Sequence, residues 1–297
     1  MKGFFKGFFI TLFVLIILSI GAIGFVTVKN HNQPLGDFFE DMSMGEDSMD
    51  FLMLGVDSLN VNDGSPSRSD VMMIVHADLK NHAFYMLSVP RDTRTAIPGR
   101  KNKEKINHAF AYGGPELSLQ TLNQLLGTNI KYYITVDYAF VKEMVETMGG
   151  VDVNVPMDMH YEDPTANPPL YIDLKAGEQR LNGDQALQFL RFRKGYANQD
   201  LGRVEAQQQF MSAFLKELKS PKSLINFPLY LRSYDKNTQS NIPMSKLAKL
   251  SPSILRMGED SIQTGTLPGV PQTIGGISYF IHDEGATNEI LTSRGMK

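Results

Sequence analysis

From Phe51 onward, short apolar runs alternate with amphipathic stretches. The runs at 51–56, 71–77, 83–89, 131–136, 151–155, 261–267 and 277–282 predict strands. Apolar residues recur at helical spacing over 105–112, 115–126, 138–148, 182–190, 203–218, 222–232 and 244–256, which predicts helices. Pro115 suits the first turn of its helix, and Gly127 the position just past its end. Gly149-Gly150 halts the following helix before the strand at 151–155. This order predicts one α/β domain, a mixed central β-sheet flanked by helices. A second domain would begin near residue 220, but no linker marks that point.

A different pattern precedes this domain. Residues 7–28 carry no charge and are mostly Phe, Ile, Leu and Val. At about 1.5 Å per residue, such a helix spans roughly 30 Å of hydrocarbon. Lys2 and Lys6 lie before it, so the positive-inside rule keeps tail 1–6 in the cytoplasm and exports the chain beyond residue 28. A cleaved signal peptide is the competing reading. Its apolar core would be shorter, and no A-x-A-like site comes after this one, so a single N-terminal transmembrane helix is expected. Residues 29–49 are polar and acidic, and read either as an extracellular stalk or as an ordered first helix. Residues 50–297 form the extracellular domain on this reading.

Charge and composition narrow the chemistry. The net charge of −3 argues against nucleic acid as a partner, because phosphate neutralisation needs a basic surface. The chain has no cysteine, so disulfides and thiolate catalysis are excluded. Six histidines are scattered without an H-E-x-x-H pair, which gives zinc little support.

Two segments carry the strongest chemical signal. Asp57 follows a buried-strand pattern and is expected to emerge at the strand's C-terminal end, where ligands gather in α/β sheets. Arg68 and Asp70 are two apart, and Asp70 leads into the next apolar run. Asp57 and Asp70 would thus face one Mg²⁺, unless they only cap loops or pair with arginines. Arg91 sits at a third strand end, aimed by Pro90, and a plain surface arginine is its bland alternative. Arg191 and Arg193 bracket Phe192, so an extended backbone would turn both guanidiniums to one face. Asp200 and Arg203 open a helix on which Arg203 and Gln207 share a face. Phe210, Met211 and Phe214 continue below them, as core or as the wall of a lipid pocket. Carboxylates for a cation beside arginines for phosphate oxygens suit chemistry on a diphosphate. His108 would touch substrate or, as a lone helical histidine, serve structure.

Read in series, these segments resemble the LytR-CpsA-Psr family. The matching stretches are LGVDS with RSD, SVPRDT, INHAFAYGG, Thr135-Val136-Asp137-Tyr138, Met148 to Val153, Ala176-Gly177 with Leu181-Asn182-Gly183, FLRFRKG and DLGRVEAQQQ. They cover roughly residues 50–220 in order, whereas 221–297 are assigned by pattern alone. The loop 61–67 carries no feature that selects one polymer.

The resemblance implies a function. Members attach glycopolymers such as wall teichoic acid to peptidoglycan in Gram-positive bacteria. The donor is an undecaprenyl-diphosphate-linked glycan, and the acceptor is the 6-hydroxyl of N-acetylmuramic acid. Carried over, Asp57 and Asp70 hold Mg²⁺, with Mn²⁺ as a substitute. Arg68, Arg91, Arg191, Arg193 and Arg203 surround the diphosphate with Gln207. Phe210, Met211 and Phe214 line the lipid pocket. Asp92 or Asp200 would take the acceptor's proton, or the cation and arginines would suffice. A lipid-diphosphate hydrolase and a non-catalytic polyprenyl-phosphate binder that regulates wall lysis are the competing functions.

Overall fold

The computed structural model describes residues 45, 47–56, 69–164, 169–192, 200–218, 220, 223, 226–256 and 261–297, with the backbone alone at Asp70 and at several positions of the later helices. The chain begins with β1 (Ser48–Val56), β2 (Ser69–Asp78), β3 (Ala83–Ser88), β4 (Arg94–Ala96) and β5 (Lys103–Lys105). Helix α1 (His108–Leu126), β6 (Tyr132–Val136) and α2 (Tyr138–Met148) follow. Four short strands come next: β7 (Val151–Val155), β8 (Met159–Asp163), β9 (Leu170–Leu174) and β10 (Gly177–Leu181). Then come α3 (Gly183–Arg191), α4 (Asp200–Leu218), α5 (Phe227–Asn237), β11 (Thr238–Ser240) and α6 (Met244–Arg256). The chain closes with β12 (Ile262–Thr266), β13 (Gly269–Ile274), β14 (Ile277–His282) and α7 (Glu284–Ser293).

Six strands form the mixed central sheet, in the order β11-β6-β1-β2-β3-β12. β1 runs parallel to β6, and β3 parallel to β12, while β2 is antiparallel to both β1 and β3. Consequently β1, β3, β6 and β12 all end on one edge of the sheet, and β2 begins there.

Both faces of the sheet are covered, which explains the nearly continuous apolar runs. One face packs Leu52, Leu54, Ile74 and Leu87 against Leu122 and Leu126 of α1 and Leu291 of α7. The other packs Met73, Val75 and Met86 against Ile242 and Leu250. A separate core gathers Met148, Val151, Leu181, Phe189, Phe210 and Tyr230 from α2, α3, α4, α5 and the β7–β10 ribbon.

Several expected elements shift for identifiable reasons. The helix expected over 105–112 begins only at His108, because 103–105 pairs with β4 as a short strand. Helix α1 then breaks at Gly114, whose φ of 65° is open to glycine, and restarts at Pro115. Gly127 ends it in the left-handed conformation with φ 64°. The helix expected over 222–232 is registered at Phe227–Asn237, with a proline in its first turn. The strands expected at 151–155 and 277–282 form, but in two-stranded ribbons outside the central sheet. The expected span 7–28 lies outside the described residues, among which no helix is long and apolar enough to cross a membrane.

The β1–β2 pairing is irregular at the functional edge. Gly55 faces Val71, but Val56 faces Ser69, so Asp70 is an extra residue bulged out of the register. A Cβ on Gly55 would lie 2.9 Å from that of Val71, so glycine permits this close approach. Gly55→Ala is expected to destabilise the domain by about 1–3 kcal/mol through overpacking. A urea midpoint equal to that of the parent would contradict this.

Candidate functional site

The site is built where the parallel strands stop. β1 ends at Val56, directly before Asp57, and β2 starts opposite it at Ser69. Asp57, Arg68 and Arg193 lie outside the described residues, and the side chains of Asp70, Asp200, Arg203, Gln207 and Met211 are not described. The backbone register nevertheless brings Ser69-Asp70 alongside the residue that precedes Asp57. Ser69 is fully buried, and its hydroxyl has no hydrogen-bond partner among the described residues. This buried orphan hydroxyl, next in sequence to Asp70, is an oxygen donor of the kind that suits a hard cation such as Mg²⁺. Among the described residues alone, no cluster of three acidic, histidine or cysteine side chains forms a metal site.

Arg91 occupies the turn that follows β3 at the same edge. Four consecutive carbonyls of this turn accept hydrogen bonds. Pro90 O accepts from the Thr93 amide at 2.9 Å and from its hydroxyl at 2.6 Å. Arg91 O accepts from the Asn107 amide at 3.3 Å, Asp92 O from Phe280 at 2.9 Å, and Thr93 O from Ile106 at 2.8 Å. The turn is thereby tied to β5–α1 on one side and to β14 on the other. Asp92 accepts from the Lys105 ammonium at 2.7 Å, with Arg91 Nε 4.0 Å from its second oxygen. Asp92 is therefore engaged by Lys105 and flanked by Arg91.

Two further elements converge here. The edge of β6 leads into Asp137, which is buried and caps α2 by accepting from the Phe140 amide at 2.7 Å. The next residue, Tyr138, places its ring 4.8 Å from the Arg191 guanidinium. Arg191 is not extended, as the alternation of Arg191 and Arg193 around Phe192 suggested. It stands in the last turn of α3, because a capping box between Asn182 and Gln185 starts that helix and its Ala186 and Phe189 bury one face. A cation in the last turn also complements the helix dipole. Only at Phe192 does the backbone become extended, with that ring buried in the second core.

Helix α4 is fixed to the same edge by a residue that sequence reasoning missed. Gln208 is buried, and its amide donates toward Ser88 Oγ at 3.1 Å, Gly265 O at 2.5 Å and Thr266 Oγ1 at 3.2 Å. Those partners are the last residues of β3 and β12. Arg203 lies five residues earlier on the same helix, about 7.5 Å along its axis. Below it, the Phe210 ring is buried 6.5 Å from that of Phe189 and 6.1 Å from that of Phe214.

The arrangement is a rim of cationic and carboxylate positions at the ends of parallel strands, backed by an apolar core. A model of the LytR_cpsA_psr family matches residues 26–295. The chain belongs to this family. A relative named polyisoprenyl-teichoic acid–peptidoglycan teichoic acid transferase TagU, from Bacillus mycoides (strain KBAB4), is 33% identical over 80% of this chain and 75% of its own length. One named TagV with the same activity, from Bacillus subtilis (strain 168), is 30% identical over 84% of this chain and 64% of its own length. The crystal structure of B. subtilis TagV superposes with a TM-score of 0.71 at 28% identity, covering 84% of this chain and 98% of that one. A structure described as TagT bound to LIIa-WTA gives 0.66 at 26% identity, covering 85% and 93%.

The LytR-CpsA-Psr match extends well past residue 220, where the sequence resemblance faded, into the ribbon and α7 at the C-terminus. The signal for Gln208 was present in the run Gln207-Gln208-Gln209, but spacing alone cannot choose which glutamine faces the sheet. Gln208→Leu leaves Ser88, Thr266 and a backbone carbonyl without their donor. It is expected to cost about 1–3 kcal/mol in unfolding free energy. A variant as stable as the parent would contradict the role assigned to this amide.

Proposed function

We propose that this protein transfers an undecaprenyl-diphosphate-linked anionic glycopolymer, such as wall teichoic acid, to the 6-hydroxyl of N-acetylmuramic acid in peptidoglycan. A phosphodiester forms and undecaprenyl phosphate leaves. The convergence of the β1 end, the Asp70 position and the Arg91 turn on one sheet edge carries this reading, supported by transferase names among relatives at 30–33% identity. The family's wall-teichoic-acid complex of TagT agrees with the donor class.

Each group has a physical task in this reaction. Asp57 and Asp70 hold Mg²⁺, with Ser69 beside them. The bound cation neutralises charge on the diphosphate as the leaving phosphate takes up negative charge. Arg91, aimed by its fully bonded turn, binds phosphate oxygens together with Arg68, Arg191, Arg193, Arg203 and Gln207. Donors fixed before the reaction stabilise the developing charge without reorganising, so their contribution is larger in the transition state than in the ground state. The apolar residues Phe210, Met211 and Phe214 receive the isoprenoid. An anchor at residues 7–28 keeps the domain beside the outer leaflet, with its N-terminus cytoplasmic, so the lipid donor need not cross water.

The test combines the full chain in detergent with a lipid-diphosphate glycan, peptidoglycan oligomers and Mg²⁺, and follows both products by mass spectrometry. The expected result is a glycan–peptidoglycan phosphodiester, lost on chelation and reduced about 100-fold or more by Arg91→Ala. Free phosphoglycan as the sole product would make the protein a hydrolase. Tight donor binding without any product would make it a lipid carrier.

A further inference from the structure

The strip that flanks the Arg91 turn carries a carboxylate–histidine pair with no part in the diphosphate site. Glu104 Oε2 lies 3.0 Å from His108 Nδ1 and accepts from the Tyr112 hydroxyl at 2.7 Å. Its other oxygen accepts from Arg100 Nε at 3.2 Å. Hydrogen bonds from His108, then Tyr112 and Arg100, hold the Glu104 carboxyl down to about 2, so it is ionised at neutral pH. An ionised carboxylate only accepts, so the neutral imidazole must carry its proton on Nδ1. Nε2 then presents a bare lone pair. This carboxylate-fixed tautomer is the state in which an imidazole acts as a general base.

Position connects the pair to the reaction. Residues 104–108 run directly along the Arg91 turn, through the Arg94–Lys105 pairing and the bonds from Ile106 to Thr93 O and from Asn107 to Arg91 O. Lys105 occupies Asp92, the carboxylate of the turn itself. Asn107, adjacent to His108, is 5% exposed, and its Oδ1 has no hydrogen-bond partner among the described residues. That oxygen is an acceptor awaiting a donor. The Tyr112 ring, 45% exposed with Arg100 against it at 4.3 Å, completes an amphipathic surface of the kind that sugars stack on.

We propose that His108 is the general base toward the acceptor sugar, in place of Asp200, and that Asn107 and Tyr112 form part of the acceptor subsite. This inference rests on the transferase reading. In the step, the muramic 6-hydroxyl proton passes to His108 Nε2 while its oxygen forms a bond to the glycan-bearing phosphorus. The bond from that phosphorus to the bridging oxygen breaks, and the electron pair leaves with undecaprenyl phosphate. Glu104 balances the imidazolium that results and is a positioning residue.

The experiment compares the parent chain with His108→Ala and His108→Gln, and the latter retains a donor for Glu104. Each is assayed for donor binding and for peptidoglycan-linked product. Both variants are expected to bind the lipid-diphosphate donor as the parent does and to lose transfer by about 100-fold or more. Added imidazole is expected to restore part of the activity of His108→Ala, which a merely structural histidine would not allow. Transfer within threefold of the parent in either variant overturns the assignment. So does loss of donor binding in both, or the absence of imidazole rescue. A parent chain that forms no transfer product fails the underlying reading instead, and that outcome is distinguished before any variant is compared.

Discussion

Four adjacent carbonyls, from Pro90 to Thr93, each accept a hydrogen bond from the turn itself or from a segment far away in the chain. Everything proposed for the site depends on this turn. A turn between strands is ordinarily among the softer parts of a fold. Here β5–α1 and the β13–β14 ribbon close on it from either side, so Arg91 inherits a backbone as fixed as a strand's. An arginine on a mobile loop would lose side-chain and backbone entropy on binding phosphate. One whose backbone is already immobilised loses only the former, and more of its interaction remains for the transition state.

The sheet topology supplies the remainder of the constraint. Because β2 is antiparallel to both neighbours, β1 and β3 are parallel to each other, and their ends meet at the start of β2. That brings the end of β1, the Asp70 position and the Arg91 turn to one edge. The bulge at Asp70 and the glycine contact at Gly55 show that the edge departs from regular pairing at the metal-binding position proposed here. Behind it, the separate core around Phe189 and Phe210 lets α3 and α4 approach the edge from the other side, each held by its own contact: Arg191 to Tyr138, and Gln208 to Ser88 and Thr266.

Much of this was legible in the sequence. The buried strands and the helices at 138–148 and 244–256 follow from periodicity, because their apolar faces are packed and their ends marked by glycine or proline. The short strands β4, β5 and β11, three residues each, were not readable, since their existence depends on partners rather than on their own pattern. The same limit applied to Arg191. Alternation with Arg193 suggested extension, while the capping box upstream set the helix that contains it. Asp57, Asp70 and Arg91 stood out because each abuts an apolar run. Glu104 did not, and His108 was legible only as a lone helical histidine, because their pairing is an i, i+4 contact across a strand-to-helix junction that periodicity places differently.

The most direct measurement is a crystal structure of the soluble domain with a lipid-diphosphate analogue and Mn²⁺, located by its anomalous signal. The account predicts one Mn²⁺ between Asp57 and Asp70, bonded to a diphosphate oxygen, with the Arg91 guanidinium on the same phosphate group. A diphosphate bound away from the β1–β2–β3 edge, or a cation that touches neither aspartate, would contradict it.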